Sequence, residues 1–301
     1  MRLAVLCLWM MSLAVSGCAR GSLTVAAADI PDQAKPASKA CLSANSVAGG
    51  YRGFDRNDYP GDATMAGLRN TFAFTGYWLT NPPGENANSW LGKRALLRQQ
   101  GWGFLVLANG RLDKEILKAR KHGTTPAEFA RQDATTAVAA ARSEGFPAHT
   151  ILFLDQEEGG ILLPEQATYL LAWTEAVAAS GYRPGAYASG QPVPDGPHKT
   201  ITTIADIRSH IKADHLHPIA IFDAQDTCPP SPGCTVHAEP LATSGELDLT
   251  VWQYAQSPRR PELTSSCANT YAADGNCYAP GFPTTFLDMD LASSADPSHG
   301  R

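Results

Sequence analysis

Apolar residues in this chain fall into short runs bounded by Gly, Pro or Asn, and from residue 50 onward those runs alternate with segments of helical period. The runs predict strands at 51–55, 72–79, 103–108, 150–155, 184–188, 218–223, 249–254 and 284–290. The helices between them have readable ends. Thr125-Pro126-Ala127-Glu128 combines a capping box with proline at the first helical position, and it predicts a helix through the Ala-rich stretch to Gly145. Pro164 opens a second helix, with Leu170, Trp173 and Val177 on one face and Gly181 at its end. Thr203-Ile204-Ala205-Asp206 starts a third, with Ile204, Ile207 and Ile211 at i, i+3 and i+7. Eight strands alternating with helices match a (β/α)8 barrel in size. An open doubly wound sheet is the rival, but no Gly-rich dinucleotide fingerprint follows the first strand. The expectation is an α/β, TIM-like (β/α)8 barrel, a single domain over residues 49–292.

The pattern breaks at both ends. Arg2 is followed by thirteen uncharged residues, Leu3 to Val15, and then by small ones. That is a positive n-region with an apolar stretch too short to span a bilayer, so residues 1–17 are expected to be a signal peptide. Val15-Ser16-Gly17-Cys18 resembles the bacterial lipoprotein signal, in which the cysteine is lipidated and becomes the new N-terminus. An ordinary signal peptide or an uncleaved anchor is the alternative. The resemblance implies an exported lipoprotein held at the periplasmic or outer surface of a membrane through Cys18. Ala19, where Asp would signal retention, favours the outer membrane in a cell that has one. Residues 18–48, rich in Ala, Ser, Pro and Gly, read as a flexible tether, and 293–301 as a disordered tail.

Composition narrows the field. Of 301 residues 44% are hydrophobic and 18% charged, which is enough to build a core. Twenty-four Lys and Arg against 29 Asp and Glu leave a net charge of −5, so nucleic acid is not an expected partner. Export also interprets the seven cysteines: Cys7 leaves with the signal, Cys18 takes lipid, and five remain. The short spacings Cys228–Cys234 and Cys267–Cys277 predict two local disulfides in an oxidising compartment, with Cys41 left over. Zinc is the rival, with His237 near Cys234, but no C-x-x-C knuckle is present.

Acidic residues end the predicted strands. Asp55 closes the first, Asp155-Gln156-Glu157-Glu158 follows the fourth, Asp223 closes the sixth, and Asp288 and Asp290 end the last. In a parallel barrel these ends meet on one face, where (β/α)8 enzymes carry their chemistry. Clustered carboxylates are costly unless they bind a cation or divide labour through split pKa values. Taken singly, each Asp could instead cap the next helix. Asp155 and Glu157, two residues apart on a strand, point to one side at about 6.6 Å along the backbone, while Glu158 turns away. An acid and a carboxylate about 5 to 9 Å apart are what glycoside hydrolysis needs.

These residues sit in a series of ordered motifs: Tyr51-Arg52-Gly53-Phe54-Asp55, Asp155-x-Glu157, Gly181-Tyr182-Arg183-Pro184-Gly185-Ala186-Tyr187, Val251-Trp252-Gln253-Tyr254 and Leu287-Asp288-Met289-Asp290. Over residues 50–292 the series resembles the glycoside-hydrolase-like domain family, a relative of the family 25 muramidases. The resemblance implies a barrel with Glu157 as proton donor, Asp155 as its acidic partner, and Asp55 with Asp288 or Asp290 lining the site. The chain departs from the muramidase pattern in its Gln156-Glu157-Glu158 run and its cysteine-bearing late loops, so subsite contacts do not carry over.

Aromatic residues supply candidate sugar platforms, since a flat ring stacks on a pyranose face. Tyr77 and Trp78 at the end of the second strand, Trp90, and Trp252 and Tyr254 on the seventh are the candidates, with core packing as the alternative, toward which Trp252 leans; Trp102 and Trp173 read as core. Gln253 has the opposite orientation to Trp252 and Tyr254 and is expected to reach the site, together with Asp223. His215-x-His217 reads as a solvated turn, and neither metal nor cofactor is expected. The leading expectation is a lipid-anchored cell-envelope glycosidase acting on peptidoglycan or a related β-linked glycan. The alternatives are a non-catalytic glycan-binding lipoprotein on the same barrel, and a structural lipoprotein whose acidic mouth holds a cation.

Overall fold

The computed structural model describes residues 46–47, 49–225, 240–256 and 285–301. A short strand β1 (Ser46–Val47) lies antiparallel to the start of β2 (Gly50–Asp55). There follow α1 (Asp62–Leu68), β3 (Phe74–Trp78), α2 (Arg94–Gln99), β4 (Gly103–Asn109), α3 (Asp113–Lys121), α4 (Pro126–Ser143) and β5 (Ile151–Asp155). Next come α5 (Pro164–Ala179), β6 (Arg183–Ser189) and a small antiparallel hairpin of β7 (Val193–Pro194) and β8 (Thr200–Ile201). The remaining elements are α6 (Thr203–Ala213), β9 (Ala220–Ala224), β10 (Val251–Ala255) and β11 (Asp288–Ala292). The eight expected strands are present within a few residues, and α4, α5 and α6 begin where their capping signals put them. Thr125 Oγ1 accepts from the Glu128 N–H at 3.2 Å, and Glu128 Oε2 accepts from the Thr125 N–H at 2.9 Å. Helices α1 to α3 are too short, at six to nine residues, for a 3.6-residue period to stand out in sequence.

The strands close in the order β2-β3-β4-β5-β6-β9-β10-β11, with β11 returning to β2. Neighbours from β2 round to β10 are parallel. Strand β11 is antiparallel to both β10 and β2, which corrects the expectation of an all-parallel barrel. Its N-terminal end therefore lies at the rim where the other strands end, and Asp288 pairs directly with Asp55.

Glycines let bulky rings fill the barrel. A Cβ on Gly53 would stand 2.1 Å from the Phe74 ring, and one on Gly185 would stand 2.5 Å from Phe153. A Cβ on Gly76 would meet Asp55 Cβ at 2.6 Å, so this glycine makes room for a carboxylate. Outside the barrel, Ala130, Ala134, Ala137 and Ala141 form the buried stripe of α4, and their small size lets it approach α5. Leu170, Trp173 and Val177 of α5 are buried as their period predicts.

Residues 293–301, expected to be a disordered tail, are hydrogen-bonded into the end of the barrel opposite the acidic rim. Strands β4 and β5 pair only from Val106 and Leu152 onward, and the tail bonds the strand residues before that point. Ser298 N–H donates to Phe104 O at 2.9 Å, and Ile151 N–H donates to Ser298 O at 2.8 Å. Asp296 Oδ1 accepts from the Phe104 N–H, and Ser298 Oγ from the Val106 N–H, each at 2.8 Å. Arg94 Nη2 reaches Gly300 O at 2.6 Å from between Phe104 and Phe146. Buried backbone groups need such partners, and here the tail supplies them.

Two polar side chains buried outside the barrel interior lead to stability predictions. Ser298→Ala removes the acceptor of the Val106 N–H and is expected to cost about 1–3 kcal/mol in urea unfolding. Asp223 packs against Gly190, near Glu246 and Arg208, and among the described residues neither of its carboxyl oxygens has a donor in good hydrogen-bond geometry. The Gly190 N–H bonds Ala224 O instead, at 3.3 Å. Burial first, and Glu246 second, push the Asp223 carboxyl up to about 7. A raised folded-state pKa stabilises the fold below the ordinary carboxylate range and loses that contribution as pH rises through about 7. Asp223→Asn should therefore narrow the difference in unfolding free energy between about pH 5 and about pH 8.

Candidate active site

Strand alternation decides which side chains reach the acidic rim. Asp55, Trp78, Leu107, Asp155, Tyr187, Phe222, Gln253 and Asp288 line a cavity of about 190 Å³, joined by Asn57, Glu157 and Gln256 from the loops that follow. A second cavity of about 400 Å³ opens between the Pro83–Gly84 loop and residues 109–115, and its far wall is again Asp155 and Glu157. This carboxyl pair is thus the partition between two open spaces.

Backbone contacts on both flanks hold the pair. Gly110 N–H donates to Asp155 O at 3.1 Å, and a Cβ at Gly110 would stand 2.2 Å from that oxygen, so the close approach needs glycine. On the other flank Gln156 N–H donates to Tyr187 O at 3.0 Å. Glu158 turns out to the helix layer, as expected, where it accepts from the Asp113 N–H and from Gln166 Nε2, each at 2.6 Å. Asp155 is buried, and burial first, then Glu157 and Asp55, push its carboxyl well above the usual range. Glu157 is exposed at the rim, yet the surrounding walls still raise it, while its hydrogen bond with Asp155 pulls it down. The same bond raises Asp155, so the deeper member of the pair is the better proton holder.

Across the mouth stands a second group. Gln253 Nε2 donates to Asp55 Oδ2 at 2.8 Å, and Gln253 Oε1 accepts from the Tyr187 hydroxyl at 2.9 Å and from Gln256 Nε2 at 3.0 Å. The Tyr187 hydroxyl is raised by burial first and by the surrounding carboxylates after it, so it remains a donor. Asp55 is pushed well above its ordinary value by burial, then by Asp288. Among the described residues no group of three or more His, Cys, Asp or Glu is arranged to hold a metal ion. The chemistry on offer is proton transfer and charge stabilisation beside an open groove.

The structure brings Asp55, Asp155, Glu157, Gln253 and Asp288 together at one mouth, and Asp290 lies beside Asp55 beneath it. It does not bring Tyr77, Trp90 or Asp223 there. Tyr77 faces the helix layer, where its hydroxyl donates to Glu144 Oε2 at 2.5 Å. Trp90 is fully buried against Tyr59 and Tyr77, with Nε1 donating to Asn57 O at 2.8 Å. Asp223 faces outward because its neighbour Phe222 faces the cavity. Of the aromatic candidates Trp78 lines the mouth, beside the rings of Tyr187 and Phe222, and its Nε1 donates to Arg56 O at 3.1 Å. Asn57, Tyr187 and Gln256 were not anticipated; Asn57 and Tyr187 were findable, one two residues beyond Asp55 and the other closing a resemblance motif. Cys18 and the cysteines expected to pair, Cys228 with Cys234 and Cys267 with Cys277, lie outside the described residues.

An uncharacterised protein of B. stearothermophilus has a solved structure that is 19% identical, with a TM-score of 0.48 over 80% of this chain and 95% of that one. The Tat-secreted protein Rv2525c of Mycobacterium tuberculosis, solved with L-tartrate, is 14% identical, with a TM-score of 0.46 over 80% and 94%. A family GH25 lysozyme from Aspergillus fumigatus is 11% identical, with a TM-score of 0.39 over 81% and 93%. No curated protein matches the chain. Residues 74–228 match the family described as Rv2525c-like, glycoside hydrolase-like domain. That match spans more than half of the chain, including β3 to β9 and the Asp155–Glu157 pair, and the chain belongs to this glycoside-hydrolase-like family.

Proposed function

We propose that the protein is an exported, lipid-anchored glycoside hydrolase that cleaves peptidoglycan or a related β-linked glycan of the cell envelope. The observation that carries this reading is the Asp155–Glu157 pair, two carboxyls of raised pKa forming the wall between two open cavities. A glycan lying across that wall has its glycosidic oxygen beside Glu157. Glu157, the exposed member, hands the proton that the pair shares to the leaving oxygen, drawing it through the hydrogen bond from Asp155. As the C–O bond breaks, the oxocarbenium-like centre forms within the field of Asp55 and Asp288; water adds to it and its proton returns to the Asp155–Glu157 pair. The description of the family as glycoside-hydrolase-like supports the reaction class. The leader and Val15-Ser16-Gly17-Cys18 support the location, which brings the protein to the envelope glycan.

The test is incubation of the protein with purified peptidoglycan sacculi and analysis of the released fragments. Glu157→Gln keeps size and hydrogen bonding but cannot donate a proton, so turnover should fall by about 10²–10⁴-fold while sacculus binding survives. Glu158→Gln should stay near the wild-type rate, since that side chain bonds Asp113 and Gln166 away from the mouth. Wild-type protein that binds sacculi and releases nothing at any pH is a binding module, and the enzyme reading then falls. For the anchor, Cys18→Ala should abolish incorporation of a fatty-acid probe; a labelled Cys18→Ala protein would place the lipid elsewhere.

A further inference from the structure

Asp290 is the most enclosed polar group at the site. It is fully buried, and neither carboxyl oxygen meets an N–H or O–H donor among the described residues. On β11 it stands opposite Gly53 on one side and Gln253 on the other. Gly53 contributes no side chain, and the Phe74 ring occupies the space a Cβ would take there. Asp288 stands two residues earlier on β11, and the carboxyl within hydrogen-bond reach of Asp290 is Asp55, on the same face of β2 one step nearer the mouth.

Two carboxyls in contact cannot both be ionised in such a place, because a buried carboxylate without donors is strongly disfavoured. One proton between them removes the conflict, and the surrounding hydrogen bonds say where it sits. Gln253 Oε1 is satisfied by two donors, the Tyr187 hydroxyl and Gln256 Nε2, and its nitrogen faces Asp55 as a donor. Asp55 therefore has a partner suited to an ionised carboxylate, whereas Asp290 has none among the described residues. We propose that Asp290 is a positioning residue that stays protonated through turnover and donates its O–H to Asp55, holding Asp55 as the ionised counter-charge of the mouth. Burial first, then Asp55 and Asp288, raise Asp290 well above its ordinary range, and the Asp55–Asp290 bond lowers Asp55 while raising Asp290. The other titratable groups facing the pair are Asp288 on β11, Glu157 and Asp155 at the end of β5, Tyr187 on β6 and Tyr254 on β10.

The kinetic arm of the test rests on the glycosidase reading; the spectroscopic arm does not. Asp290→Asn retains an N–H donor of the same shape, whereas Asp290→Ala removes the donor. With sacculi as substrate, Asp290→Asn should keep close to the wild-type kcat. Asp290→Ala should lose roughly ten- to a hundredfold, the worth of one hydrogen bond to a charged group, with its acidic pH limb displaced upward. If Asp290→Asn, verified as folded by its thermal transition, is as impaired as Asp290→Ala, then Asp290 works as an anion and the proposal fails. It fails equally if both variants match the wild type. Infrared difference spectroscopy of the full chain at neutral pH reads the proton directly: the wild type should show a protonated-carboxyl band that Asp290→Asn lacks. If Asp290→Asn leaves that band unchanged, or the wild type shows none, the proposal is overturned whether or not the protein cleaves glycan. The band without cleavage would sustain the Asp290 assignment while sinking the glycosidase reading.

Discussion

The antiparallel pairing of β11 with β2 is the contact on which the site depends. It closes the barrel, and it reverses one strand so that its beginning reaches the rim where its neighbours end. Asp288 thereby pairs with Asp55, and Asp290 lies one step deeper on the same face. A parallel strand in that place would bring Ala292 toward the rim and carry both aspartates away from it. The concentration of carboxyls at the mouth is thus a consequence of strand direction. The cost of enclosing them follows from the same geometry, since each raises the next in the absence of full hydration.

The two sides of the mouth differ in how their carboxyls are held. On the β5 side, backbone bonds from Gly110 and to Tyr187 clamp both faces of the single Asp155–Gln156 peptide, just before Glu157 at the open rim. On the β2 and β11 side the constraint runs through side chains, from Gln256 and Tyr187 to Gln253 and on to Asp55. Tyr187 belongs to both sides, offering its carbonyl to one and its hydroxyl to the other. A residue so placed fixes the distance across the mouth, which favours a preorganised field over one that must rearrange as charge develops.

What the sequence made legible, and what it hid, follows from periodicity. The strands of the barrel were readable as apolar runs between turn residues, and α4 and α5 from their caps and prolines. Gln253 was readable because Trp252 and Tyr254 bracket it, and Glu158 because it follows Glu157. Tyr77 and Trp78 could not be told apart because every residue of β3 is buried, so neither face leaves a polar trace. The same ambiguity in Ile221-Phe222-Asp223 hid the outward turn of Asp223. Strand direction was illegible for β11, since a two-residue alternation reads alike in both directions. The tail was misread because its bonds run through backbone groups and small polar side chains that resemble a disordered segment in composition.

The barrel's two ends carry opposite loads. At the rim, ionising the carboxyls weakens the fold, because groups whose folded-state pKa is raised withdraw their stabilisation as pH climbs. At the other end, the tail bonds strand backbone that β5 does not pair, and Arg94 ties it to the aromatic layer of Phe104 and Phe146. Between them, Phe74 and Phe153 fill the interior over Gly53 and Gly185, excluding the water that would otherwise relax the carboxyls above. Relaxing that packing would let solvent in beneath Asp55 and Asp290 and return their pKa values toward the ordinary carboxylate range. The glycines that admit the rings are therefore as much a part of the site's acidity as the acids themselves.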